Sequence, residues 1–543
     1  SFLRATARVG LTKNVSRDEQ FKSPKHPDYL ETDKLKQGSF SASTSEALSY
    51  NGDLNIAFGK LFVEKHQVNV VGGWSFSENK NKRDGYSVVG FNDDLHMNPA
   101  FSTGFTDGQK PNYSLERSRS TSFFMNVNYS FMNRYLMDFN VRSDGTSKFG
   151  ANKRFSTTWS VGLAWNLHNE EFMKSLGLFT NFKIRASVGN PGNQNFDAYQ
   201  AMKIYKYNVE LQNMFGSSAI IDQFGNKDLD WQRTLDKNIG VDISMLRNRI
   251  RVTLDYYYKD TDPLLISVPM PPSVGVGSIN ANAGRQLSWG WNGSIFGTVI
   301  QKQDLSWTLN ANFRTSKSEY RDIGDKLNEF NELGSAQSLV RYYEGASPDD
   351  MWAVPSLGID PATGAEMFRK KDGSQTFIYS TADEVVVGCS RPDVEGVIGS
   401  SFYYKGFSAS VNFRYRLGGE VMASALYSKV ENISEEQIYY NQDKRALHDR
   451  WQKPGDKAKF KSIKDNSSTP MSSRFVRTEN TFSGESISVG YESSAAWIRK
   501  IGAEGVTFRA YMNDIFRLSS FKEERGTDYP FARTVSFSLS LRF

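Results

Sequence analysis

From Phe531 to Phe543 the side chains alternate in character. Phe531, Arg533, Val535, Phe537, Leu539, Leu541 and Phe543 fall on one face of an extended segment; Ala532, Thr534, Ser536, Ser538, Ser540 and Arg542 fall on the other. Apart from Arg533 the first set is apolar and the second is small or polar, the division a strand needs between hydrocarbon and water. A sandwich strand has the same period, so recurrence must separate the two. Val506, Phe508, Ala510 and Met512 alternate in this way, as do Ile487, Val489 and Tyr491, and the run from Phe407 to Leu417. Upstream, Trp159 to Leu167, Tyr135 to Val141, Phe123 to Phe131 and Val68 to Phe76 repeat it. Arg414 and Arg416 share the polar face of their strand, which is costly in a dry core and acceptable in a water-filled lumen.

The pattern predicts sixteen strands, at 2–11, 50–60, 66–77, 119–130, 134–143, 156–167, 179–189, 236–246, 248–260, 287–299, 305–320, 396–404, 407–417, 482–492, 501–513 and 531–543. Their connections mostly alternate short and long. Tight links fall at 61–65, Asn133, Arg247, 301–304 and 405–406, whereas the gaps near 190–235, 321–395 and 418–481 are long. Outer-membrane barrels place short turns in the periplasm and long loops outside. With the last strand running inward, every short link lands on the periplasmic side, residues 514–530 lie outside, and an even number of strands could precede Ser1. The fold class expected is all-β, a transmembrane antiparallel barrel.

Composition agrees with thin amphipathic spans. Hydrophobic residues make up 38% of 543 and aromatics 13%, and no run reaches the roughly 18 apolar residues of a transmembrane helix. The opening Phe2–Val9 stretch is strand-like and holds two arginines, so it is no signal peptide. Lys and Arg number 66 against 60 Asp and Glu, without a sustained basic block, which argues against nucleic-acid binding. Cys389 is the single cysteine, so no internal disulfide forms.

Catalytic machinery is not visible. His26, His66, His96, His168 and His448 show no metal-site spacing, no phosphate-binding glycine loop occurs, and Gly275 and Gly277 read as an outer loop. Loop carboxylates Asp222, Asp228, Asp230, Asp349, Asp350 and Asp360 could hold calcium if their loops converge, although EF-hand spacing is missing. The candidate substrate contacts are Trp231, Tyr342, Tyr343, Trp352, Tyr439, Tyr440 and Trp451. Each lies in or beside a long external segment, where aromatics stack on sugars or clamp peptides. Asp349, Asp350 and Arg450 stand near them as partners for hydroxyls or termini. The competing reading is loop packing, which Trp451 suits best.

Several stretches resemble SusC-like (SusC/RagA) TonB-dependent transporters of Bacteroidetes outer membranes. They are Arg142–Gly150, Asp230–Thr234, Asn238–Asp242, Tyr256–Lys259, Tyr343–Gly345, Gly358–Gly364, Asp449–Asp456, Ser472–Val476 and Asn513–Phe516. The resemblance runs in family order over essentially all of residues 1–543. It implies a plug domain, an amino-terminal extension and a 22-strand barrel, of which residues 1–543 supply the carboxy-terminal part with long extracellular loops; six strands and the plug are unaccounted for. It further implies active import of an oligosaccharide, or alternatively an oligopeptide, with a SusD-like surface lipoprotein capping the mouth and TonB–ExbB–ExbD acting through the plug. Outer-membrane lipid surrounds such a barrel, and the terminal Phe543 is implied as the residue read by the assembly machinery. A passive sixteen-strand porin is the rival reading, and an adhesion or scaffold protein a third.

Overall fold

A computed structural model describes residues 2–106, 109–148, 154–193, 203–214, 216–225, 232–269, 275–282, 284–327, 331, 338–434, 436–439, 441–500, 502–522 and 532–543. Sixteen of the described strands correspond one to one with the predicted segments, and the paired strands Ile204–Asn213 with Gly216–Gln223 and Leu265–Pro269 with Ser278–Asn282 lie in stretches expected as connections. In the first part of the chain the sixteen are β1 (Leu3–Lys22), β2 (Ser39–Phe62), β3 (His66–Val89), β4 (Asn112–Phe131), β5 (Tyr135–Thr146), β6 (Phe155–Asn166), β7 (Phe179–Asn190) and β8 (Gln232–Met245). They continue as β9 (Ile250–Thr261), β10 (Arg285–Gln301), β11 (Leu305–Arg314), β12 (Val394–Tyr404), β13 (Phe407–Leu417), β14 (Thr481–Ser493), β15 (Gly505–Ser519) and β16 (Val535–Arg542). Contacts divide the chain into two units: Ser1–Leu163 with Val188–Leu235 and Pro263–Ala283, and Ala164–Ser187 with Asp236–Asp262 and Gly284–Phe543.

In the first unit β1 to β5 form an antiparallel meander whose register carries apolar side chains in rows. Leu3 lies opposite Phe58, Phe58 opposite Val70, Val70 opposite Val127, and Val127 opposite Phe139. The next row runs Ala5, Ile56, Gly72, Met125 and Val141. The other face is polar and bonded across strands. Asn126 donates to Asn140, Asn128 to Asp138, and Asn140 to the Ser160 hydroxyl.

The second unit shows the same division. From β12 to β16, Phe402, Ala409, Val489, Ala510 and Phe537 stand side by side, as do Tyr404, Phe407, Tyr491, Phe508 and Leu539. Thr507, Arg509 and Tyr511 face Ser540, Ser538 and Ser536. A slip of one residue would turn every apolar side chain onto the polar face, so burial in lipid fixes this register strongly. On the polar side Arg185 of β7 reaches Asp242 of β8 at 3.0 Å and Asp255 of β9 at 2.8 Å.

Four of the five tight turns are built on left-handed backbone, the link at 301–304 being the exception. Val63 and Glu64 have φ of 48° and 55°, Met132 and Asn133 of 51° and 54°, Leu246 and Arg247 of 53° and 57°, and Lys405 and Gly406 of 45° and 90°. Paired positive φ values match the right-handed twist of the flanking strands, which is why such links can be so short. The connections 167–178 and 494–504 instead hold the helical turns Glu171–Lys174 and Ala496–Lys500.

Five strands outrun their expected limits by six residues or more; one of them, expected at 501–513, runs on to Ser519. Segments expected at 2–11, 50–60, 66–77 and 119–130 extend to Lys22, back to Ser39, on to Val89 and back to Asn112. A tilted strand needs about 9–11 residues to cross the bilayer, so the remainder projects beyond it. There both faces meet water and the period-two signal fades, while the backbone ladder continues. Polar cross-strand pairs replace it: Lys13 with Glu46 at 2.9 Å, Arg119 with Glu78 at 2.9 Å, and Ser49 with Asn79 at 2.8 Å. Phe40, Ala42, Val88 and Phe91, joined by Phe21 and Tyr86, make a small core at this far end. The segment expected at 305–320 is broken after Arg314; Lys317–Arg321 resumes pairing with β10. The expected start at 501 moves to Gly505 behind the helical turn, and the start at 531 falls on a residue outside those described.

Candidate functional site

The two longest connections fold on each other. Segment 315–393 contains paired strands Asp350–Ala353 with Val385–Cys389, and the hairpin Ser356–Ile359 with Glu366–Arg369. In segment 418–480, Glu420–Met422 pairs with Val476–Thr478, and Val430, Ala446, Phe460 and Phe475 form a buried core. Arg474 joins the two. Its side chain, 10% exposed, bridges Glu366 at 2.8 Å and Glu431 at 2.7 Å, while its guanidinium lies 4.4 Å from the Phe475 ring. The Ser472 hydroxyl donates to Glu366 and the Thr469 hydroxyl to Glu431, so both carboxylates are further satisfied. A second enclosed pair, Arg341 with Glu384, holds segment 338–384 at 2.6 Å with Tyr379 donating its hydroxyl to Glu384.

Those contacts explain most of the family-like stretches. Gly364, at φ 75°, leaves room for the Trp451 ring, because a Cβ there would lie 2.5 Å from it. The Trp451 indole N–H donates to the Pro361 carbonyl at 2.9 Å. Arg450 is buried, donating to the carbonyls of Lys461 and Glu431. Glu344 accepts from the backbone N–H groups of Asp322 and Ile323, which hold its carboxyl below the usual range. Near the strand ends Arg142 donates to Asp144 at 2.7 Å, and Asp144 also accepts from Ser122.

The predicted contact residues separate into three groups. Trp231 and Tyr440 lie outside the described residues. Tyr343 and Trp352 pack on each other at 4.6 Å, with the Trp352 indole nitrogen buried and without a hydrogen-bond partner, and Tyr342 packs on Tyr320. Asp349 is taken by Arg391 at 2.6 Å and by the Ser318 hydroxyl. Tyr439, by contrast, is 87% exposed and stands free of the loop core. Phe543 is 78% exposed, so truncating it forfeits little burial within the chain.

A cleft of about 780 Å³ opens where β10 meets both long segments. Its lining includes Trp289, Trp291, Lys317, Glu319, Asp350, Cys389, Arg391 and Glu420. Burial pushes the Asp350 carboxyl and the Cys389 thiol up from their ordinary values. Trp289 and Trp291 fall within the strand predicted at 287–299. No sequence signal shows that residues 391–393 and 418–420, a hundred or more positions away, come to border them.

Among the described residues no group of three or more His, Cys, Asp or Glu side chains is placed to hold a metal ion. Asp360 accepts from Thr363 in its own turn, and Asp350 accepts from the Ser347 N–H. Asp228 and Asp230 lie outside the described residues, as does the side chain of Asp222. His66 meets the Tyr129 hydroxyl, His96 meets Asp93, and the His168 ring accepts from the Phe182 N–H.

Residues 2–354 match the family model described as TonB dependent receptor-like, beta-barrel. TonB-dependent receptor P39 of Formosa agariphila is 24% identical over 521 residues, covering 86% of this chain and 49% of that protein. TonB-dependent receptor SusC of Bacteroides thetaiotaomicron is 26% identical over 468 residues, covering 79% and 44%. The chain spans about half the length of the curated relatives it matches. A solved structure of the RagAB peptide transporter superposes with a TM-score of 0.80 at 21% identity, over 96% of this chain and 57% of that one, which shows a shared fold. The SusC-like resemblance read from the motifs is thus borne out, and this chain belongs to the TonB-dependent receptor-like β-barrel family.

Proposed function

We propose that residues 1–543 supply barrel wall and outer loops to an active importer in the outer membrane of a Bacteroidetes-like bacterium. The observation that carries this reading is the register. Each unit presents continuous apolar rows on one face and a hydrogen-bonded polar face on the other, as a strand wall between lipid and water requires. The long connections build a rigid body with its own buried charges, suited to seat a SusD-like lipoprotein over the mouth. Energy would come through TonB–ExbB–ExbD acting on a plug supplied by other parts of the protein, since the unplugged lumen of a 22-strand barrel would leak solutes. Phe543 is proposed as the assembly signal.

An oligosaccharide is the cargo proposed, supported by exposed Tyr439 and by the cleft that combines Trp289 and Trp291 with carboxylates. A peptide is the second reading. Lys317 and Arg391 beside Glu319 and Glu420 offer both charge signs for chain termini, and the peptide transporter RagAB shares the fold. Uptake of defined glycans and defined peptides by the native strain and by one lacking this gene tests both. Loss of peptide uptake alone would reverse the choice of cargo, and unchanged uptake of every substrate would sink the importer reading.

A further inference from the structure

The connection from β6 to β7, residues 167–178, differs from the tight turns. It turns three large apolar side chains outward: Phe172 is 58% exposed, Leu176 55% and Leu178 56%, while Leu167 and Met173 face inward and are buried. Its position is set by two observations. Trp165 stands on the apolar side of β6 and donates its indole N–H to Glu170 at 3.1 Å, which draws the connection toward that side. In β7 the polar side holds Lys183 and Arg185, so Phe182, Ile184 and Ala186 form the apolar side, and Leu178 continues this row at the same parity.

The backbone of the turn is closed on itself. The N–H groups of Met173, Lys174, Ser175, Leu176 and Gly177 all donate to carbonyls between Glu170 and Lys174, and the Ser175 hydroxyl donates to the Phe172 carbonyl. Lys174 pairs with Glu171 at 3.2 Å. These bonds satisfy the backbone N–H groups of residues 173–177, which lowers the cost of placing irregular backbone at a lipid boundary, while the Glu171 and Lys174 side chains stay 76% and 53% exposed.

We propose that residues 167–178 form a membrane foot, with Phe172, Leu176 and Leu178 seated in the boundary between headgroups and acyl chains of the phospholipid leaflet at the short-connection end. The inference rests on the outer-membrane reading above. It identifies a lipid contact beyond the strand rows, one that ties the β6–β7 hairpin to the leaflet and fixes its depth.

The test uses the full-length receptor with Cys389→Ser and every cysteine of its remaining part likewise replaced by serine, reconstituted in phosphatidylethanolamine–phosphatidylglycerol bilayers. An environment-sensitive fluorophore is attached at Phe172→Cys, at Leu176→Cys, at Val489→Cys in an apolar row, or at Tyr439→Cys in the outer loops. Lipids brominated along the acyl chain should quench the labels at 172, 176 and 489, and aqueous iodide should quench 172 and 176 roughly fivefold less than 439. If iodide quenches 172 and 176 as strongly as 439 while 489 stays lipid-quenched, the foot is wrong and the membrane wall stands. Shielding of 172 and 176 from both quenchers would mean that protein covers them, which also overturns the proposal. Absence of lipid quenching at 489 would overturn the membrane reading itself.

Discussion

Replacing Arg474 with Ala removes a guanidinium that links segments 315–393 and 418–480 by ion pairs to Glu366 and Glu431, leaving the Ser472–Glu366 and Trp451–Pro361 hydrogen bonds as further links. The Glu431 side chain is fully buried and that of Glu366 is 7% exposed, so each loses its ion-pair partner and keeps a hydroxyl donor. Breaking a buried ion pair from one side costs about 3–5 kcal/mol. Amide hydrogen exchange should therefore accelerate about a hundredfold or more in Glu366–Arg369, Glu420–Met422 and Val476–Thr478, since each 1.4 kcal/mol is tenfold. Exchange in β13 to β15 should hardly change, because backbone ladders carry those strands. The triple variant R474M/E366Q/E431Q should recover most of the protection by removing the stranded charges. Exchange in the loop segments within about threefold of the parent for R474A would refute the assignment of these buried charges as the joint.

The face assignment predicts that Val489→Arg costs about 2–4 kcal/mol and impairs membrane folding, read by heat-modifiable migration, whereas Ser488→Arg on the polar face is tolerated. Trp451→Ala should loosen the Gly358–Gly364 turn in limited proteolysis, while Tyr439→Ala should leave the fold intact and lower uptake if the exposed ring meets cargo. Asp350 has a folded-state pKa raised by burial, so its contribution favours the fold below its unfolded value of about 4 and is lost as pH rises through the higher folded value. Asp350→Asn should accordingly slow loop exchange at pH 7 and lose that advantage near pH 3, and an equal effect at both would contradict the burial argument. Phe543→Ala should lower the amount of receptor in the outer membrane without changing the melting behaviour of the assembled fraction, given the exposure of that ring.

Strand existence and facing were legible because both are local. Val506 to Met512 reads as an apolar row from its own letters, and the structure sets that row against Leu541 to Val535 at the same parity. Limits were legible only where one face meets lipid. Ser77–Val89 and Asn112–Ser118 carry no alternation to read, yet they pair across water through backbone and charge.

The site was less readable. Trp231, Tyr343, Trp352, Tyr439, Tyr440 and Trp451 were all singled out as aromatics in long connections. Only the folded chain separates exposed Tyr439 from Trp451, which fills the space above Gly364. Asp349 reads as a free loop carboxylate until Arg391, 42 positions on, is placed against it. By itself the sequence determined a two-faced strand wall, its short and long connections and its family, since period two and turn lengths are properties of neighbouring residues. Tertiary structure alone decided the loop core, the Arg474 bridge and the cleft beside Trp291, because each depends on side chains brought together from distant segments whose pairing no local period encodes.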